Sequence, residues 1–165
     1  MMPDPTLFAT TRCLCLAARR AARTITREFD QALRAHGLRA TQFTLLAALH
    51  LAGTKAIGEL AEMLSADRTT LTRNLALAEQ RGWVALRTDP ADARSRLAAI
   101  TPKGLRTLVA AMPTWNATQQ RLLQDIGESA AAALHRLAGG PCVMPLPTQE
   151  GPSKPSSQRK LGSSA

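Results

Sequence analysis

The sequence predicts a mainly α-helical chain interrupted by one small β-hairpin. Apolar residues recur at steps of three and four along most of the chain up to Leu137, the period of a half-buried helix. The stretch Trp83–Ile100 departs from that period and reads as two short runs around a turn. Ala, Leu and Arg favour helix, whereas aromatic residues make up only 3% of the chain and Tyr is absent. The core is therefore expected to be built from Leu, Ala, Val and Ile.

The first helix is expected over residues 6–36. Leu14, Ala18, Ala21, Ile25, Phe29 and Leu33 form its apolar stripe, and Arg19, Arg23, Arg27 and Arg34 follow a neighbouring face. Gly37 suits a left-handed stop. Thr41 is the expected cap of a second helix, 42–52, which Gly53 ends. Ile57, Leu60, Ala61 and Leu64 mark a short third helix, followed by a turn at Ser65-Ala66. Asp67 is placed to cap a fourth helix that runs to Arg81 and closes at Gly82.

Trp83–Thr88 and Arg96–Ile100 are the two strands, with Asp89–Asp92 as the turn. Thr101 then caps a fifth helix with Pro102 at its first position. Leu105, Leu108, Val109 and Met112 are its apolar residues. Pro113 is expected to kink it or end it one residue earlier. Residues 115–126 and 129–137 supply further helix, and Gly139-Gly140-Pro141 stops it. Residues 139–165 form a basic tail rich in Pro, Ser and Gly, with Lys154, Arg159 and Lys160; such a composition is expected to be disordered.

Formal net charge is +9, which points to a polyanionic partner or, failing that, to a solubilising excess. The three cysteines, Cys13, Cys15 and Cys142, are odd in number and suit a reducing cytoplasm better than a disulfide framework. No apolar run approaches the roughly 20 residues of a membrane span. Nothing resembles a phosphate-cradling loop, a metal-ligand cluster or a nucleophile with its base, so neither an enzyme nor a cofactor is expected. His36, His50 and His135 have no ligand spacing.

A short helix, a turn and a polar helix, followed by a hairpin, make a winged helix-turn-helix. In such a unit the second helix enters the major groove of DNA by its N-terminal part. On the fourth helix Leu71, Leu75 and Ala78 are expected to face inward. Arg68, Thr69, Thr70, Thr72 and Arg73 are the expected DNA-binding residues: Arg can fork onto guanine, and Thr can reach base edges or phosphates. Arg94 and Arg96 at the wing can enter the narrow minor groove, with Asp92 expected to orient the Arg94 side chain by a charge-assisted bond. The bland alternative is a set of solvated surface charges.

Residues 30–105 resemble the MarR family of bacterial regulators. The resemblance rests on Ile57-x-x-Leu60-Ala61-x-x-Leu64, Asp67-Arg68-Thr69-Thr70-Leu71-Thr72-Arg73 and Gly82-Trp83-Val84. It rests above all on Asp89-Pro90-x-Asp92-x-Arg94 with Leu97 and Ile100-Thr101-Pro102-Lys103-Gly104. It implies a MarR-like domain over 1–138. The winged helix-turn-helix would occupy about 41–101, with dimerisation helices at 6–36 and 102–138. It also implies a homodimer on a pseudo-palindromic double-stranded operator, mostly acting as a repressor, and release by a small organic effector or by thiol oxidation. Arg94 matches the family's minor-groove arginine, while Ala93 stands where the family often has Arg.

Cys15 resembles in position the reactive cysteine of the peroxide-sensing branch of that family, and Arg12 or Arg19 could favour its thiolate. That branch uses tyrosines to hold the thiolate, and this chain has none. The alternative is a small residue packed at a dimer interface. Cys13, two positions away on the same expected helix and thus about 200° around it, should face elsewhere. The rival to a specific regulator is a non-specific architectural protein that binds nucleic acid through its charge.

Overall fold

Helix α1 (Leu14–Leu33) opens the computed structural model, which describes residues 12–140. The helix does not pass back through Cys13 as expected. Cys13 is its N-cap, with extended backbone angles of φ −62° and ψ 114°. The rest of the expected first turn, Cys142 and the tail from residue 141 lie outside the described residues. After Leu33 the chain tightens into a single 3-10 turn, Arg34–His36. Gly37 then takes a left-handed φ of 68° and donates its N–H to the Arg34 carbonyl (2.9 Å), the stop anticipated there.

Helix α2 (Ala40–Ala52) is capped differently from expectation. Thr41 lies exposed inside the helix, and Arg39 is the N-cap. Two side chains satisfy the first free N–H groups. Gln42 Oε1 accepts from Arg39 N–H (3.0 Å), and Asp30 Oδ1, on α1, accepts from Ala40 N–H (2.7 Å). A carboxylate brought in by α1 thus replaces the hydroxyl of Thr41. Phe43, Leu45, Leu46, Ala48 and Leu49 are all buried, so α2 runs through the centre of the fold.

Strand β1 (Lys55–Ala56), helix α3 (Ile57–Met63), helix α4 (Arg68–Gln80) and strands β2 (Val84–Thr88) and β3 (Arg96–Ile100) follow. The expected hairpin is in fact part of a three-stranded antiparallel sheet in the order β1-β3-β2. Lys55 pairs with Ala98, and Val84 with Ile100. A two-residue strand is too short to show alternation, so β1 leaves no pattern in the sequence.

Helix α5 (Pro102–Ile126) continues through Pro113 instead of ending before it. The missing N–H costs the helix one bond and about 3 kcal/mol. Burial of Leu108, Ala111 and Thr118 on either side of Pro113 offsets that loss. Gly127, at φ 76°, breaks the chain into helix α6 (Glu128–Leu137).

The largest fully buried side chains are all leucines: Leu33, Leu45, Leu46, Leu49, Leu60 and Leu75. Aromatic rings nevertheless enter the aliphatic core, Trp83 among them. Trp115 of α5 stacks on Phe43 of α2 (centroids 5.5 Å apart) and on Phe29 of α1 (6.0 Å), joining three helices. The N-terminal half of α1 has no such cover: Leu14, Leu16, Ala18 and Ala21 are exposed. Among the described residues no helix is long and apolar enough to cross a membrane.

Candidate nucleic-acid interface

Helix α3 buries Leu60 and Ala61 against the core. Its end is sealed by Ala66 N–H donating to the Ala61 carbonyl (2.9 Å), and Ser65 adopts a left-handed φ of 47° to make the turn. Asp67 then caps α4 as anticipated, its Oδ1 accepting from Thr70 N–H (2.9 Å). Hydrogen bonding from the Thr70 backbone, chiefly, holds the Asp67 carboxyl below its ordinary range.

On α4, Leu71, Leu75 and Ala78 are buried, while Arg68, Thr69, Thr70, Thr72 and Arg73 are exposed. The expected division of the helix into an inner and an outer face is therefore present. Thr72 Oγ1 donates to the Arg68 carbonyl (2.8 Å), so its hydroxyl rests on the helix backbone. Arg68 leans towards α3, where a Cβ on Gly58 would stand 3.5 Å from Arg68 Nη2.

The wing loop is shaped by its aspartates. Asp89 N–H donates to the Ser95 carbonyl (2.9 Å), Ser95 N–H to the Asp92 carbonyl (2.8 Å), and Ala91 N–H to Asp89 Oδ1 (2.9 Å). Asp92 Oδ1 accepts from the backbone N–H of Arg94 (3.0 Å). This corrects the expected role of Asp92: it fixes the backbone of the loop, not the guanidinium of Arg94. With the carboxylate committed locally, the exposed Arg94 and Arg96 side chains keep their charge outward. Among the described residues the ion pairs are those of Arg121 with Glu28 and Asp125, so Arg68, Arg73, Arg94 and Arg96 are left unneutralised.

A lock between α4, β2 and α5 holds these elements together, and the sequence reading missed it. Thr101 caps α5 by accepting from Gly104 N–H (3.0 Å), while its own hydroxyl donates to the Gly82 carbonyl (2.7 Å). Thr101 N–H donates to the Trp83 carbonyl (2.9 Å), and Lys103 Nζ to the Arg81 carbonyl (2.7 Å). Gly104 lies so close to the strand that a Cβ there would stand 2.1 Å from the Trp83 oxygen. The absent side chain of Gly104 is thus a packing requirement. The signal was present in the Thr101-Pro102-Lys103-Gly104 run, whose partners lie some twenty residues back.

Cys13 and Cys15 are exposed free thiols at the start of α1. Because Cys13 is the extended N-cap and not a helical residue, the expected 200° separation does not describe the pair.

The sequence pattern of the MarR family matches residues 36–95, from the 3-10 turn to the wing loop. The chain is also similar to a solved structure of the transcriptional regulator MosR from M. tuberculosis in complex with DNA. The two are 36% identical, the match covers 77% of this chain and 96% of that one, and the TM-score is 0.67.

The chain belongs to the MarR family.

Two further solved structures support the fold alone. E. coli MarR in its apo form is 24% identical, with 76% of this chain and 93% of that one covered at a TM-score of 0.59. Bordetella bronchiseptica BpsR, whose DNA binding is regulated by 6-hydroxynicotinic acid, is 24% identical, with 76% and 90% covered at a TM-score of 0.68. No curated protein matches the chain. This MarR-family chain thus has the mainly helical, winged helix-turn-helix fold that its sequence anticipates.

Proposed function

We propose that this chain is a sequence-specific DNA-binding transcription regulator that works as a homodimer on a pseudo-palindromic operator. One observation carries the reading. Helix α4 presents Arg68, Thr69, Thr70, Thr72 and Arg73 outward over a buried leucine face, and none of its arginines is neutralised by a neighbouring carboxylate. Arg73 forks onto a base in the major groove, Thr69 and Thr72 contact base edges or phosphates, and Arg94 enters the minor groove with Arg96 beside it. MosR, the more similar relative at 36% identity, is itself a transcriptional regulator seen with DNA.

The protein acts by binding alone, with no reaction of its own, and works in the cytoplasm. The dimer follows from the uncovered apolar surface of α1, α5 and α6, where Leu14 and Leu137 are 84% and 87% exposed. A two-fold pair buries that surface and sets two recognition helices on two half-sites. The described core and its flanking helices form the regulatory domain, and the basic tail adds only non-specific attraction to DNA.

Binding represses, and a small organic ligand or oxidation of a thiol releases the DNA. For the second route Cys15 is the sensor, with Cys13 as its neighbour: the Cys15 thiolate attacks one oxygen of a peroxide, the O–O bond breaks, and with a proton from solvent the products are a sulfenic acid and an alcohol, or water from hydrogen peroxide. Peroxide should then release DNA from the wild type and not from Cys15→Ser. Equal release from both proteins leaves the ligand route.

The direct test is a gel shift on the gene's own upstream region, with and without excess unrelated DNA. Specific retention supports the regulator. Equal loss to competitor supports the architectural alternative. With a genuine operator in hand, Arg73→Ala should cost about 1–3 kcal/mol per half-site.

A further inference from the structure

The turn between α1 and α2 is gripped from two sides. From one side comes Arg81, the residue that ends α4. Its guanidinium carbon lies 5.3 Å from the centre of the Trp83 ring. One of its terminal nitrogens lies 3.4 Å from where a Cβ on Gly37 would stand. From the other side comes α5: Thr114 Oγ1 and His36 Nε2 are hydrogen-bonded at 2.9 Å. Thr114 directly follows Pro113, the point at which α5 lacks a backbone hydrogen bond.

These contacts close a circuit. The Arg81 carbonyl accepts from Lys103 Nζ at the start of α5 (2.7 Å). Helix α5 runs on without a break to Thr114. Thr114 holds His36, and the neighbouring Gly37 lies under the Arg81 guanidinium. Three elements joined at three corners cannot shear past one another without breaking a corner. The circuit therefore fixes the tilt of α4 relative to α1 and α5.

We infer that Arg81 and His36 are positioning residues that set the distance between the two recognition helices of the dimer. They touch no DNA. The inference rests on the dimeric DNA-binding reading above, because only in a dimer does the tilt of α4 become a spacing. Gly37 belongs to the same device: its left-handed φ of 68° makes the turn that lies beside the guanidinium.

The test measures binding of the full chain to three versions of its operator, with the natural half-site separation and with one base pair added or removed. The wild type should prefer the natural separation. Arg81→Ala keeps the carbonyl that Lys103 holds and removes only the guanidinium. It should flatten the preference by about threefold per protomer, or about tenfold for the dimer, the size expected from one exposed cation–aromatic contact. Arg81→Lys should recover part of it, and His36→Ala should flatten it through the other corner. Arg73→Ala, which removes a base contact, should weaken all three operators alike. Melting curves of each variant separate a loosened frame from an unfolded chain.

A preference for the natural separation that survives unchanged in folded Arg81→Ala and His36→Ala overturns the inference and leaves the DNA-binding reading intact. A wild type that holds no operator against competitor overturns the DNA-binding reading, and this inference with it.

Discussion

Leu75 on α4 is wholly buried, whereas Leu14 on α1 is 84% exposed. The two leucines stand for two regions with opposite solutions to the same problem. The winged unit is enclosed within the chain: α2, α3, α4 and the sheet bury Leu46, Leu60, Leu71, Leu75 and Ala98 in one core, which the inner parts of α1 and α5 complete with Phe29, Leu33 and Leu108. The outer ends of α1, α5 and α6 leave a groove of about 620 Å³ lined by Ala21, Ile25, Leu122, Ile126, Leu134 and Leu137. One region is complete within a single chain; the other presents a face that a second copy would cover.

Core truncation should separate the two regions most sharply. Leu75→Ala should destabilise the chain by about 2–5 kcal/mol in a denaturant melt. Leu14→Ala removes the same atoms from an exposed site and should leave the melt of dilute protein unchanged. Equal losses at the two sites would erase the distinction.

Gly104→Ala tests how tightly the winged unit is closed. A methyl 2.1 Å from the Trp83 oxygen forces α5 off the strand, at a cost of about 1–3 kcal/mol or somewhat more. Gly58→Ala, inside α3 at an ordinary helical φ and 3.5 Å from only the tip of the Arg68 side chain, should cost nothing or stabilise slightly. Near-equal melting temperatures for the two variants would show that the lock is loose.

Charge placed in the groove should act on the second region alone. Leu134→Asp with Leu137→Asp should raise the dimer dissociation constant by about tenfold or more in sedimentation, while the helical signal of the monomer persists. A wild type that sediments as a monomer at micromolar concentration would remove the paired face altogether.

The smallest effect belongs to the Asp67 cap. Its folded carboxyl sits below the ordinary value of 3.8, so it contributes stability at neutral pH that fades as pH falls through the folded value. Melting temperature followed from about pH 6 to pH 2.5 should show a steeper acid limb for the wild type than for Asp67→Asn. Matching limbs would mean that Asp67 does not favour the folded start of α4.

Much of the candidate interface was legible because its signals are local. The outward set on α4 follows from where Leu71, Leu75 and Ala78 must go, and the helix has one period to obey. The role of Asp92 was not legible. A carboxylate two residues before an arginine can meet its guanidinium or its backbone N–H, and loop curvature decides which. The Arg81 contacts were equally hidden, since Gly37 lies over forty positions away and no spacing rule links them.

Helix punctuation was settled by the sequence alone where the deciding atoms are local. Asp67 caps α4, Thr101-Pro102 opens α5, and Gly37 and Gly82 turn the chain with φ of 68° and 70°, because each choice depends on atoms within a few residues. Tertiary structure decided the rest. Asp30 from α1 took the capping place expected of Thr41. Packing carried α5 through Pro113, β1 found an edge of β3 to pair with, and Trp83 required a glycine at position 104. In each case the deciding partner arrives from a distant part of the chain, and a donor, a ring or an oxygen has no preference for a partner until the fold brings one within reach.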